Sequence, residues 1–352
     1  MTHTASTART HQASHTTHGE TFPLGGPWPG IDPFLFTMHH LDHYPAGDEH
    51  MGPIGGVAGR PLGQDFGNPA GWNMYHGAQV PGFPAHPHRG FETITVVMDG
   101  VVDHADSTGA GARYSDGDVQ WVTAGDGVNH SEMFPLVERD ADNTLDLYQI
   151  WINLPAASKR VPAEFKMLWN EDIPVVDVGE NARVKVIAGR FGDAAAPAPP
   201  VNSWASNPDA DVTILLIQLD PGATVTLPAT GRPDTNRVLY VHGEGAAATV
   251  DGAEVGDGWG FAQTAPGELT ITTAERPATV LVLQGAPIGE PVAQRGPFVM
   301  NTEAELAQAF ADYRQTGFGG WPHATDAPVF PRDQGRFARH GDGRLEDPAS
   351  RR

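Results

Sequence analysis

Two short doublets mark where this chain could do chemistry. His86 and His88 are separated by one residue, and so are His130 and Glu132. In a β-strand, residues i and i+2 point to the same face, so each doublet can present two ligand atoms to one point. If the chain runs out and back between them, both doublets reach one end of a barrel. Three imidazoles and a carboxylate then converge. That set suits a first-row transition metal with open coordination positions, close to the two-His-one-carboxylate pattern of oxygen-handling iron sites. The plainer alternative, core histidines that only hydrogen-bond, would bury several polar groups at a cost.

Three neighbours have to be weighed against this set. Glu92 shares the parity of His88 and competes for the carboxylate role, as a ligand or as a partner behind the ligands. Glu132 is placed first because it is paired directly with His130. His104 has no partner at ligand spacing and reads as a core or surface residue. Arg89 is expected to hold a carboxylate or a chain segment beside the site.

The elements needed to position these groups are legible around them. The run ETITVVM at 92–98 reads as a strand, Asp99-Gly100 as a tight turn, residues 108–111 as a loop and residues 116–118 as another turn. Residues 117–125 alternate polar and apolar. Residues 145–153 form a strong strand with Leu145, Leu147, Gln149, Trp151 and Asn153 on one face. Short strands recur at 183–187, 212–219, 224–227, 237–241, 246–250, 269–272 and 279–283, separated by turn residues as in a sandwich or barrel. The second half therefore repeats the first weakly, which predicts two similar barrels. The repeat lacks a His-x-His and its only histidine is His242, so it is read as structural and without metal. Residues 301–314 predict a helix with Asn301 or Thr302 as N-cap and Leu306, Phe310 and Tyr313 on one face.

Composition narrows the possibilities. The chain has 352 residues, enough for two domains, and no Cys, so any metal must be held by His, Asp or Glu. Its formal charge of −21 opposes binding to nucleic acid or to anionic membranes. No apolar run approaches the length of a membrane span, and the first twenty residues lack the apolar core of a signal peptide, so a cytoplasmic location is expected. The expected organisation is a disordered tail at 1–20 and a metal-binding domain at 21–154 with a Gly/Pro-rich insertion at 45–82, a candidate lid. A crossover at 155–182, a metal-free domain with a closing helix at 183–319 and a polar tail at 320–352 complete it. Residues 38–43, MHHLDH, gather three more histidines whose path is left open.

Several stretches also carry a resemblance: HPHRGFETIT, DSTGAGARYSDGDVQWVTAGDGVNHSE, LYQIWINLP and GEPVAQRGPFVMNTEAELAQAFADYRQTGFG. Over residues 31–40 and 84–319 the chain resembles the pirin family of bicupins. The resemblance implies an all-β protein of two packed cupin barrels with a short C-terminal helix. It implies iron in the first barrel, with ligands falling on His86, His88, His130 and Glu132. It also implies one of two roles. The favoured one is a dioxygenase opening quercetin or a similar enolic aromatic with dioxygen, a reaction for which Glu132, by its chemistry, is read as the general base. The other is a redox-sensing regulator of a transcription factor or metabolic enzyme. The chain departs from the family in the 45–82 insertion, in its extended ends and at Asp126, where a basic residue is expected between Gly125 and Gly127.

Overall fold

The protein is described by a computed structural model covering residues 19–351. It is built of two antiparallel β-sandwich barrels. In the first, one sheet runs in the order Glu164–Leu168, Val119–Thr123, Phe91–Asp99, Asn143–Asn153, Phe34–Tyr44 and Trp28–Pro29. The sheet facing it carries Gly82–His88, Val128–Met133, Val101–Asp106 and Gly111–Ser115 in pairing order. In the second barrel, Val175–Val178, Ala182–Ala188, Thr213–Leu219, Ala278–Gly285, Asn236–His242 and Trp259–Gln263 form the large sheet, closed by Gly19–Pro23. The smaller sheet pairs Thr224–Leu227, Leu269–Thr273, Ala247–Val250 and Ala253–Gly256. The predicted duplication is therefore present.

The two large sheets pack back to back. Ile94, Val96, Trp121 and Ile150 of the first barrel share one apolar cluster with Ile214, Leu216, Val238 and Leu281 of the second. The residues between them point the other way: Val97 and Leu147 into the first barrel, Leu215, Leu239 and Val282 into the second. A strand covered on both faces is buried along its length, at polar as well as apolar positions. This is why Phe91–Asp99 is buried over its first seven residues.

The segments between and beyond the barrels are more integrated than expected. Residues 155–182 cross over but add a strand to each barrel, Glu164–Leu168 pairing with Val119–Thr123 and Val175–Val178 with Ala182–Ala188. The expected disordered tail falls outside the described residues up to 18. Gly19–Pro23 pairs with Trp259–Gln263, so residues 21–23, expected in the first domain, belong to the second barrel's sheet. Residues 320–352 are not merely a polar tail: Phe337–Arg339 extends the first barrel by pairing with Gly111–Arg113. Arg113, fixed by Asp103 at 2.7 Å, donates to the carbonyls of Phe330, Pro331 and Gln334. Arg332 does the same to Leu136 and Val137. Strapping by side chain to backbone carbonyl leaves no periodicity in sequence.

The helix is Glu303–Thr316, and the cap is Thr302, whose Oγ1 accepts from the Glu305 amide while Glu305 Oε2 accepts from the Asn301 amide. It buries Leu306 and Ala309 against Ala293, Phe298 and Met300. No helix among the described residues is long and apolar enough to cross a membrane.

Candidate metal centre

The centre is made by one pair of strands. Gly82–His88 and Val128–Met133 run antiparallel, with His86 directly opposite His130. His88 lies two residues on, and the three rings meet with centroids 4.5–4.8 Å apart. One possible ligand nitrogen from each of His86, His88 and His130 lies within 4.8 Å of the others. An irregularity in the pairing between Phe83 and His86 frees the Ala85 amide, which donates instead to the Asp326 carbonyl of the C-terminal segment at 2.7 Å.

These residues fit a metal. His86 Nδ1 lies 2.9 Å from the Pro84 carbonyl. A carbonyl only accepts, so Nδ1 carries the proton and Nε2 is left free to ligate. Neither ring nitrogen of His130 has a hydrogen-bond partner. Neither nitrogen of His88 makes a hydrogen bond of full geometry, although the Pro297 carbonyl lies near enough to favour its protonated form. Each unpaired buried polar group costs about 1–3 kcal/mol. Burial holds all three imidazoles below their ordinary pKa. Neighbouring histidines add to this at His88 and His130, whereas Glu132 opposes it at His86. The neutral form they keep is the one that binds a cation.

Glu132 stands at the edge of this group. Its Oε2 is 3.7 Å from His130 Nε2. Two donors hold the carboxylate: Thr95 Oγ1 at 3.0 Å and Gln149 Nε2 at 2.7 Å. Trp151 Nε1 donates to Gln149 Oε1 at 3.3 Å, which turns the Gln149 amide nitrogen towards Glu132. The Trp151 ring also flanks His88 at 5.3 Å and stacks on Phe91 at 4.0 Å. Thr95 and Gln149 were not singled out from the sequence. Their signal was available, because each is a polar residue on the inward face of a strand.

The structure separates the other candidates. Glu92 is far from the role of ligand. Its carboxylate faces the inter-barrel contact and accepts from Trp121 Nε1, Thr123 Oγ1, Ser203 Oγ and the Trp204 amide at 2.7–3.0 Å. Burial outweighs these four bonds and pushes its pKa up to about 7. His104, paired across the strands with Glu132, is fully buried and lies 3.2 Å from Asp106 Oδ2. Its ring is 5.4 Å from that of His130, so it backs the centre and does not belong to the ligand group.

Arg89 ion-pairs with Asp312 at 2.7 Å and Asp126 at 3.2 Å, tying the closing helix to the end of the ligand strand. Asp126 also pairs with Arg160 at 2.5 Å, which accounts for an acid where a base is expected. Beside it, Gly90 has φ +84°, and a Cβ there would meet the Val299 carbonyl at 2.0 Å. Buried Lys159, missed in the sequence, donates to the carbonyls of Gly90 and Val299 and to Asn153 Oδ1.

The histidines at 39–43 part company. His39 joins the inter-barrel contact beside Tyr148 and His242. His40 Nδ1 lies 2.8 Å from Tyr75 Oη in the 45–82 segment. That segment is ordered by two carboxylates. Asp42 accepts from the Asn73 amide and Tyr75 Oη, and Asp65 from the Met74 amide and Asn68 Nδ2. The result sets Tyr75 against Phe83, whose ring lies 6.2 Å from that of His86.

Similarity to known proteins agrees with this architecture. The pirin family model matches residues 64–152, beginning inside the segment read as an insertion, and the model of the pirin C-terminal cupin domain matches residues 214–319. A Pseudomonas aeruginosa protein named "Putative quercetin 2,3-dioxygenase" is 40% identical over 238 residues, 67% of this chain and 79% of that one. Pirin-1 of Arabidopsis thaliana is 38% identical over 245 residues, 68% of this chain and 80% of its own. A crystal structure of quercetin 2,3-dioxygenase from Acinetobacter baumannii superposes with a TM-score of 0.66 at 26% identity, covering 86% of this chain and 95% of that one. With two cupin barrels and a histidine trio in the first, the chain belongs to the pirin family.

Proposed function

We propose that this protein is a metal-dependent dioxygenase, with iron held by His86, His88, His130 and Glu132 and a flavonol such as quercetin, or another enolic aromatic, as substrate. One observation carries the reading: three converging imidazoles, with both ring nitrogens of His88 and His130 left without a full hydrogen bond, beside a carboxylate held by two donors. The names of the Pseudomonas relative and the Acinetobacter structure support the reaction class. Bound iron would supply Lewis-acid polarisation of the substrate's enolic oxygen and a site for dioxygen.

The rest of the chemistry falls to the chain's own groups. Glu132 Oε2 takes the hydroxyl proton as general base. Thr95 and Gln149 keep the carboxylate aimed and share the charge it carries before that transfer. Phe83 and Tyr75 form an aromatic wall beside His86 against which a planar substrate stacks. The 45–82 segment, by placing Tyr75 there, acts as the lid that excludes water.

The test is elemental analysis of untagged protein followed by dioxygen uptake with quercetin at saturating metal. The expected result is one iron per chain and uptake that depends on it. Metal content unchanged by the double substitution His86→Ala, His88→Ala would overturn the ligand assignment. Full iron loading with no uptake on any flavonol would move the reading to a regulator, in which the state of the metal shapes a surface that a partner protein reads.

A further inference from the structure

The second barrel holds no histidine trio, but it holds a buried cation. Arg237, on Asn236–His242, is 2% exposed. Its guanidinium donates to Gln284 Oε1 from Nε and Nη2, to Gln263 Oε1 from Nη1 and to the Pro228 carbonyl from Nη2. All these acceptors are neutral. No carboxylate pairs with Arg237 among the described residues. Five N–H groups and four hydrogen bonds leave one N–H of Nη1 without a protein acceptor. A buried charge with no directly paired carboxylate is costly, and burial, only partly opposed by the more distant Asp211, pulls the Arg237 pKa down to about 10.

Arg237 lines a cavity of about 390 Å³. The volume falls in the range of small-molecule sites. Its inner wall is apolar, formed by Leu215, Leu227 and Val282. The one acid in the lining, Asp211, is engaged by the Gly231 amide at 2.9 Å and Thr235 Oγ1 at 2.8 Å. Exposed Arg190 sits at the rim, so the charged lining is net positive.

The position matters as much as the charge. Asn236–His242 lies between Ala278–Gly285 and Trp259–Gln263, as Phe91–Asp99 lies between Asn143–Asn153 and Val119–Thr123. Thr224–Leu227 pairs with Leu269–Thr273 as Gly82–His88 pairs with Val128–Met133. The cavity opens where Thr224–Leu227 ends and Asn236–His242 begins. In the first barrel the matching strand ends carry His88 and Phe91. The second barrel thus has a mouth at the place where the first has its metal centre, with a guanidinium in it.

We propose that this mouth is a second ligand site, for a small organic acid whose carboxylate binds Arg237 and whose apolar body lies on Leu215, Leu227 and Val282. The remaining Nη1 N–H suits a carboxylate oxygen by charge and by one charge-assisted hydrogen bond.

The test is calorimetric titration of the full chain with cinnamate, and with cinnamamide as its neutral counterpart. The chain carries His86→Ala and His88→Ala, so that the metal centre cannot be the acceptor. Cinnamate is expected to bind at one site per chain, and cinnamamide much more weakly. Arg237→Gln should weaken cinnamate binding by roughly tenfold or more, the scale of one lost charge-assisted hydrogen bond, and Arg237→Lys should retain part of it. Should Arg237→Gln fail to fold, Ala229→Trp at the exposed rim blocks the cavity without touching the guanidinium and should abolish binding with an unchanged unfolding midpoint. No binding of cinnamate, equal binding of cinnamamide, or full affinity in the Trp variant would overturn the proposal.

Discussion

The two barrels share one design and fill it differently. Inward positions of the first carry His86, His88, His104, His130 and Glu132, with Thr95, Gln120 and Gln149 among them, all but His86 and Gln149 buried. The matching interior of the second is Val184, Leu239, Val250, Phe261 and Ile271, every one buried. The sandwich itself needs only a hydrophobic inner face on each sheet. The second barrel meets that need everywhere but at its mouth, where Arg237 and Gln284 are buried. The first sets polar groups there and must find partners for them, from Thr95 and Gln149 on one side and, on the proposed function, from a metal ion on the other. The site is therefore a departure from the packing rule, confined to one end of one barrel, while the second barrel's core and the shared sheet contact provide the stability.

That contrast can be broken or sharpened by experiment. The largest effect should come from Glu132→Gln, which keeps the shape and removes the basicity. Turnover at saturating metal should fall about 10²–10⁴-fold, with metal still held by the three histidines; near-normal dioxygen uptake would show that Glu132 is not the base. In the second barrel, Phe261→Ala should cost about 3–5 kcal/mol in denaturant unfolding, with metal per folded chain unchanged. Loss of metal there would mean the barrels are not separable in this way.

Metal itself should stabilise the folded chain. At a free concentration a hundredfold above Kd the gain is about 2.7 kcal/mol, read as a rise in the unfolding midpoint. The rise should vanish in His86→Ala, and its survival would place the metal elsewhere.

Glu92 offers a test at the contact between the barrels. Its folded pKa is raised from the ordinary 4.5 to about 7. The folded chain thus keeps a proton that the unfolded chain gives up over that interval, and stability falls as pH rises through it. Glu92→Gln should flatten that slope, an effect on the order of 1–3 kcal/mol across the window, and should leave turnover near normal. An unchanged slope would show that Glu92 is already ionised in the contact. The smallest effect should be at His242. Its ring nitrogen Nε2 lies 2.6 Å from Tyr148 Oη across the same contact, so the residue bridges the two barrels and is more than filler within its own. His242→Ala should cost about 1 kcal/mol in thermal unfolding without moving metal content.

What the sequence determined by itself is local. The spacing of His86 with His88 and of His130 with Glu132 is a parity statement, and parity within one strand survives folding. The same holds for the strand at 145–153, the short strands of the second half and a helix start at Asn301 or Thr302, each decided by neighbours within a few residues. Tertiary structure decided whatever parity could not carry across a break. Glu92 shares the parity of His88, yet one strand ends at His88 and the next begins at Phe91, with Gly90 at φ +84° between them. The chain changes direction there, so Glu92 turns out towards Ser203 and Trp204 while His88 turns in. Phe34–Tyr44 went unread because its histidines break any alternation, and it is a strand by virtue of pairing with Asn143–Asn153 a hundred residues away. The C-terminal strap is invisible for a related reason. It is held by Arg113 and Arg332 donating to its own and distant carbonyls, and backbone acceptors look alike at every residue. Pairing between distant segments and the burial it creates are properties of the assembled chain, and they alone turned Glu92 to Ser203 and Trp204, kept Glu132 beside His130 and left Arg237 lining a cavity without a paired carboxylate.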